Sequence, residues 1–283
     1  MKLYIIGNGF DLAHNIKSRY SDFGRFLEEN YYGLKVQSEI LYEDTDVSLW
    51  TDFETALGSI DINDIVRNVE AEARSNNPDE IGHQSIYMSD VVSNACDSLK
   101  SVYEECFSEW VQQIDISSTK PFLHMDKNAL YLTFNYTETL EDVYGIPENH
   151  ICHIHNCRKY ASPIVGHDKT FFKDYKDEAW IAIDEIDDSL RHLFSITRKD
   201  VKSIIKKNNA FFSLLAKSKI NKVYVYGHSL NDIDMPYLIE VRKNTLSIPW
   251  TVSYYENDDQ MKFKTKLHEK LCIPNHLIKM FKL

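Results

Sequence analysis

The sequence has no apolar run that approaches the length of a membrane span, no C-x-x-C pair, no internal repeat and no low-complexity tract. Each absence removes a class of protein. With no span there is no expected membrane partner. IIGNGF follows the first residues at once and acidic residues come soon after, which is not the pattern of a signal peptide. Five cysteines (Cys96, Cys106, Cys152, Cys157 and Cys272) make an odd, scattered set. Such a set fits reduced thiols rather than a disulfide framework, so a cytoplasmic location is expected. Excess positive charge is also missing. The net charge is −11, a field that repels nucleic-acid phosphates, so nucleic acid is not an expected partner. The densest basic stretch, Lys199, Lys202, Lys206 and Lys207, reads most simply as the solvated face of a helix.

What the sequence does have is aromatic mass, 17 tyrosines and 14 phenylalanines in 283 residues, enough for a large core. Lys2 to Ile6 reads as a strand buried on both faces. From about Ser21 to Lys120 no strong β run occurs. Helical stripes replace it: Phe23, Phe26 and Leu27 after a Ser21 cap, then Leu49, Trp50, Phe53, Ala56, Leu57 and Ile60, then Ile86 to Val111. A loop is expected at Arg74 to Asp79. After Pro121 the period changes. Leu130–Phe134, Ile151–Ile154, Ile164–Gly166, Val223–Tyr226 and Trp250–Tyr254 read as strands or short apolar pieces. A long helix is expected from Asp187 to Ala216 and another from Met235 to Lys243. This order predicts an α/β fold, a Rossmann-like, mostly parallel sheet flanked by helices. The core would be residues 1–19 and 126–283, with a helical insertion over 20–125 in one 283-residue domain.

In such sheets ligands bind at the carboxyl ends of the strands. Five expected strand ends carry glycine, asparagine, histidine or aspartate. The first is Gly7-Asn8-Gly9-Phe10-Asp11. Its glycines permit close backbone approach to a phosphate, or the segment is a tight turn with Asp11 capping a helix. The second holds Asn135, which orients a ribose hydroxyl or a water, or simply turns the chain. The third holds His153 and His155, two apart and so on one face of a strand. They read as a metal pair, as structural histidines, or as a general base. The fourth is Gly166-His167-Asp168. The fifth is Gly227-His228-Ser229 with Asp232 following, where Asp234 and Pro236 suit a helix start.

IIGNGFDLAHNIKSRYSDF, WTDFETAL at 50–57, LTFNYTETLE, HIHN, IVGHD and YGHSLNDIDMPYL resemble, in this order, the AbiH family of bacterial phage abortive-infection proteins. The likeness covers nearly the whole chain. Asn156 and Asp168 stand where that family usually has glycine. GNGFD, TFNYT, HIHN and GHSL are also distantly similar to the turns of sirtuin-like NAD-binding domains. That likeness implies phosphate and ribose contacts at Gly7, Gly9 and Ser229, with Asn135 at the nicotinamide ribose or a water and His155 as the base. Phe10, Asp11 and Thr137 depart from the sirtuin pattern, and its zinc quartet is absent, so no metal is expected.

The expected ligand is therefore NAD or a related nucleotide, bound by Gly7, Asn8, Gly9, Phe10, Asp11, His153, Gly227, His228, Ser229 and Asp232. Asn135 and His155 would be catalytic in cleaving its N-glycosidic bond, as an NAD glycohydrolase. Two alternatives stand beside it. One is a nucleotide sensor without turnover. The other is a metal-dependent nuclease or phosphohydrolase using the histidines and Asp168. A phage-derived or neighbouring-gene trigger is expected, and the helical insertion would gate the crevice or form a homo-oligomer interface.

Overall fold

The computed structural model describes residues 1–42, 48–67, 81–170 and 181–283, with the side chains of 81–88 and 181–185 left aside. The expected loop at Arg74 to Asp79 lies outside the described residues. The chain forms two compact units. One joins Met1–Arg19, Val111–Ile164 and Asp200–Leu283, and the other joins Tyr20–Trp110 and Val165–Lys199. The second unit begins where the sequence places the insertion and takes in a further segment, Val165–Lys199.

The first unit is an α/β layer built on six strands: β1 (Lys2–Ile6), β2 (Leu130–Thr133), β3 (Ile151–His153), β4 (Lys222–Tyr226), β5 (Trp250–Tyr254) and β6 (Ile278–Lys282). They lie in the order β3-β2-β1-β4-β5-β6, and every pairing is parallel. This is the doubly wound Rossmann order, with its switch point between β1 and β4. The expected Rossmann-like architecture is what the chain adopts.

Two cores cover the two faces. On one, Leu3, Ile5, Leu132, Val223, Val225, Trp250 and Val252 pack with residues of the helices Val201–Lys207, Asn209–Lys217, Met235–Lys243 and Asn257–Leu271. On the other, Tyr4, Ile6, Phe10, Tyr131, Leu140 and Tyr144 form a smaller cluster. Here the tyrosine content finds its use. Tyr131, Tyr4 and Tyr224 stand in register on adjacent strands, with neighbouring rings stacked at 4.9 Å. Aromatic cross-strand pairs of this kind favour one register over its slips.

Several expectations are corrected. Ile164–Gly166 is not a strand; His167 makes only an isolated bridge to Arg198, within the second unit. The helix after β1 starts at Asn8, not near Asp11. Ser21 lies inside the helix Tyr20–Asn30 rather than capping it. The long helix over 187–216 is three: Ile181–Ile196, Val201–Lys207 and Asn209–Lys217. Asp200 makes the first break, since its side chain caps the next helix by accepting from Ser203 N at 3.1 Å. Lys202, Lys206 and Lys207 are exposed on that next helix, as a solvated face requires, but Lys199, expected on the same face, precedes the helix and is buried. The helix Asn257–Leu271 and strand β6 are absent from the sequence reading.

The second unit is helical, with Tyr20–Asn30, Tyr32–Glu39, Phe53–Leu57, Ile81–Ser101 and Ile181–Ile196. Its centre is aromatic. Phe23 has Phe107 and Trp110 each at 5.2 Å and Phe53 at 5.4 Å between ring centroids. Gly24 is needed there, because a Cβ on it would stand 2.9 Å from the Trp50 side chain. Among the described residues no helix is long and apolar enough to cross a membrane.

Candidate functional site

Four of the five polar segments do end strands of the sheet, and those strands, β3, β2, β1 and β4, are neighbours. At the switch point the β1 and β4 loops pack directly on each other. Gly7 N donates to Tyr226 O at 2.9 Å and Gly9 N to Gly227 O at 2.7 Å. A Cβ on Gly7 would lie 2.6 Å from His228 Cα, and one on Gly227 would lie 2.0 Å from Phe10 N. Gly227 also has φ +63°, a conformation that costs little only for glycine. The close approach these glycines permit is that of one loop to the other.

Asp11 follows, 1% exposed. Its Oδ2 accepts from the Thr137 hydroxyl at 2.5 Å, and that hydroxyl is 3.0 Å from the one on Thr139. Burial pushes its pKa up, and hydrogen bonds from Thr137, Thr139 and Asn135 and the charge of His14 oppose the rise. Asn135 is 6% exposed. Side chains satisfy both its backbone groups: its N–H donates to Thr133 Oγ1 at 3.1 Å, and its carbonyl lies 3.0 Å from His153 Nδ1. The other nitrogen of His153 is 2.8 Å from Glu141 Oε1. The sequence reading gave His153 to a ligand; here both its nitrogens are occupied by protein.

His155 and His228 flank Phe134, edge-on at 5.4 and 4.4 Å, and Tyr237 stands 5.5 Å from His155. His228 Nδ1 accepts from Leu230 N–H at 2.9 Å. Its ring is therefore neutral, with the proton on Nε2, 3.5 Å from Asp234. Burial alone brings its pKa down to about 3. Asp234, expected to cap the next helix, makes no side-chain cap there and faces His228 instead.

The remaining candidates are dispersed. Asn8 is exposed and its amide and carbonyl are bound to Ser18 at 2.8 and 2.6 Å. Phe10 is core, against His14 and Tyr144. Ser229 is exposed, and so is Asp232, 3.4 Å from Lys266. Sequence reasoning missed Thr139 and Glu141, which sit on a π-helical turn, Thr139–Val143; π turns recur at functional sites. It also missed Glu138, whose carboxylate is held by Arg158 Nε at 2.9 Å. Adjacent charges of one sign, Glu138, Glu141 and Asp142, were the available signal. A cavity of about 520 Å³ lies elsewhere in this unit, lined by residues such as Leu123, Lys127 and Tyr144. None of its lining residues was a candidate. Among the described residues no three His, Cys, Asp or Glu side chains gather as a metal-holding set.

Gly166 and His167 belong to a different cluster, within the helical unit. Lys199 Nζ lies 2.6 Å from Glu54 Oε1, with side-chain exposures of 1% and 13%. Gly166 N donates to the same carboxylate at 3.3 Å. His167 Nε2 donates to Phe194 O at 3.1 Å while Nδ1 accepts from Lys169 N–H at 3.1 Å. That ring too is neutral, and burial lowers its pKa to about 4.

Six parallel strands in this order, with buried polar side chains gathered at one rim, define a Rossmann-like α/β protein. The family model described as bacteriophage abortive infection AbiH matches residues 3–254. The chain belongs to that family, and with it to the proteins of phage abortive infection. A search of the curated proteins found no match.

Proposed function

We propose that the carboxyl rim of the parallel sheet binds NAD or a related nucleotide, hydrolyses its N-glycosidic bond, and serves abortive infection through that reaction. One observation carries the reading. The buried polar side chains Asp11, Asn135, Thr137, Thr139, His155 and His228 cluster at the ends of β1 to β4, around the switch point where such sheets take ligands. A core built for stability alone would fill these positions with apolar groups, since a buried polar group left without a partner costs about 1–3 kcal/mol.

The side chains fit the sugar end of such a nucleotide. Asn135 offers an amide to orient a ribose hydroxyl or an attacking water, and His155 a ring to accept a proton. Asp11 supplies negative charge to an oxocarbenium-like transition state. The Gly9 amide is bound to Gly227 O, so phosphate contacts are not assigned to it. Incubating the purified chain with NAD and quantifying free nicotinamide tests the reading. Absence of release by every oligomeric form, with and without phage components, would remove it.

Burial favours a second reading, a sensor that holds its nucleotide unchanged. Asp11, Asn135, His155 and His228 are 1%, 6%, 3% and 3% exposed, so a ligand enters only when the rim opens. A nucleotide that raises the melting temperature and is recovered intact would favour the sensor.

A further inference from the structure

Three acceptor oxygens in the rim are buried with no hydrogen-bond partner among the described residues: Oδ1 of Asp11, Oδ1 of Asn135 and Oε2 of Glu141. The Thr137 hydroxyl is on Asp11 Oδ2, and the two nitrogens of His153 are on the Asn135 carbonyl and Glu141 Oε1. The three residues belong to one network. Asp11 reaches Thr139 through Thr137, Thr139 and Glu141 share the π-helical turn, and Glu141 returns through His153 to Asn135. Native folds leave few buried acceptors unpaired, and each asks for an explanation such as an absent ligand.

We infer that the rim takes the hydroxyl-rich part of its ligand, a vicinal diol of the ribose kind, against Asp11, Asn135 and Glu141, and that the ligand's phosphates do not sit on the Gly7–Gly9 turn. The inference rests on the nucleotide reading above and sharpens it. A phosphate brings only acceptors and negative charge. Beside a like charge 4 Å away it would meet about 4 kcal/mol of repulsion at an effective dielectric of 20. A cation suits the site less than a neutral donor, because Glu141 already has His153 Nε2 at 2.8 Å and Asp11 already accepts from the Thr137 hydroxyl. A hydroxyl both donates and accepts, so a diol is served in either state of Asp11. His14 is the other titratable group acting on that carboxyl.

The test is calorimetric titration of the full chain with ADP-ribose and with its analogue lacking the two terminal-ribose hydroxyls. Loss of both hydroxyls should weaken binding on the order of 100-fold, because buried acceptors then stay unpaired. Asp11→Asn and Glu141→Gln, both close in shape to the native side chains, should weaken ADP-ribose and narrow that discrimination while leaving the analogue's affinity unchanged. Equal binding of the two compounds overturns the inference and leaves the nucleotide reading standing. Diol-dependent binding with no nicotinamide release from NAD supports the inference and removes the hydrolase. Failure of both compounds to bind removes both. Stabilisation by Mg²⁺ or Mn²⁺ alone, abolished by Asp11→Asn, overturns the diol in favour of a cation.

Discussion

In the helical unit, Lys199 and Glu54 face each other at 2.6 Å and His167 spends both ring nitrogens on backbone groups. In the sheet unit, one side-chain oxygen each of Asp11, Asn135 and Glu141 is buried without a hydrogen-bond partner among the described residues, while His228 has Leu230 N–H on Nδ1 and Asp234 3.5 Å from Nε2. Both clusters are buried and both use carboxylates and histidines. The first closes on itself, charge against charge, as a lock between two distant chain segments needs to. The second retains unused hydrogen-bonding capacity at the place where this fold takes ligands. The difference separates polar burial that holds a structure from polar burial kept for something else.

The comparison can be broken by exchanging the behaviours. The largest effect is expected on turnover: Asn135→Ala and His155→Ala should each reduce nicotinamide release by about 10²–10⁴-fold, with melting curves near those of the parent. A collapse of the fold in both would put the rim in the same class as the lock. Next comes Lys199→Ala, which leaves Glu54 buried without its counter-charge and should cost about 3–5 kcal/mol in denaturant titrations. A cost below 1 kcal/mol would mean that the pair is not a lock.

Acid should act on both units. His167 and His228 stay neutral in the fold, with pKa values lowered by burial to about 4 and about 3, whereas in the unfolded chain they protonate near 6.5. Stability should therefore fall as pH drops from about 6.5 toward 4, read as melting temperature against pH, and His228→Asn should flatten part of that slope. The smallest effect has the opposite sign. Burial raises the Asp11 pKa, so its folded form binds a proton more readily and stability declines as pH rises through its titration. Asp11→Asn should then raise the melting temperature slightly at neutral pH, with the gain vanishing in acid. A lower melting temperature at pH 7 would show that the carboxylate stabilises the fold.

Much of the sheet was legible because β1, β2, β4 and β5 are short apolar runs that stop at glycine or polar residues. β6 was not, since Ile278-Lys279-Met280-Phe281-Lys282 mixes lysines into an edge strand and the helix before it buries only Phe263, Leu267 and Leu271. The break in the long helical stretch was visible in principle, as Asp200 stands three residues before Ser203 in a capping arrangement. At the site, Asn135, His155 and Asp11 were legible from their place after strands. The roles of Thr139 and Glu141 were not, because a π turn has no simple periodicity. Nor was the pairing of Glu54 with Lys199, which no local pattern connects. Gly166-His167-Asp168 misled for a related reason: its turn-like residues serve a bridge to Arg198.

The central position of β1 has a consequence for how the protein comes into being. Tyr4 precedes its neighbours Tyr131 and Tyr224 by more than a hundred residues on either count, so a ribosome exposes the middle of the sheet long before it supplies the flanks. Contacts this remote along the chain form slowly. No nascent chain that ends before β4 possesses the Asp11–Asn135–His228 constellation, and whatever that constellation does is withheld until translation has passed His228.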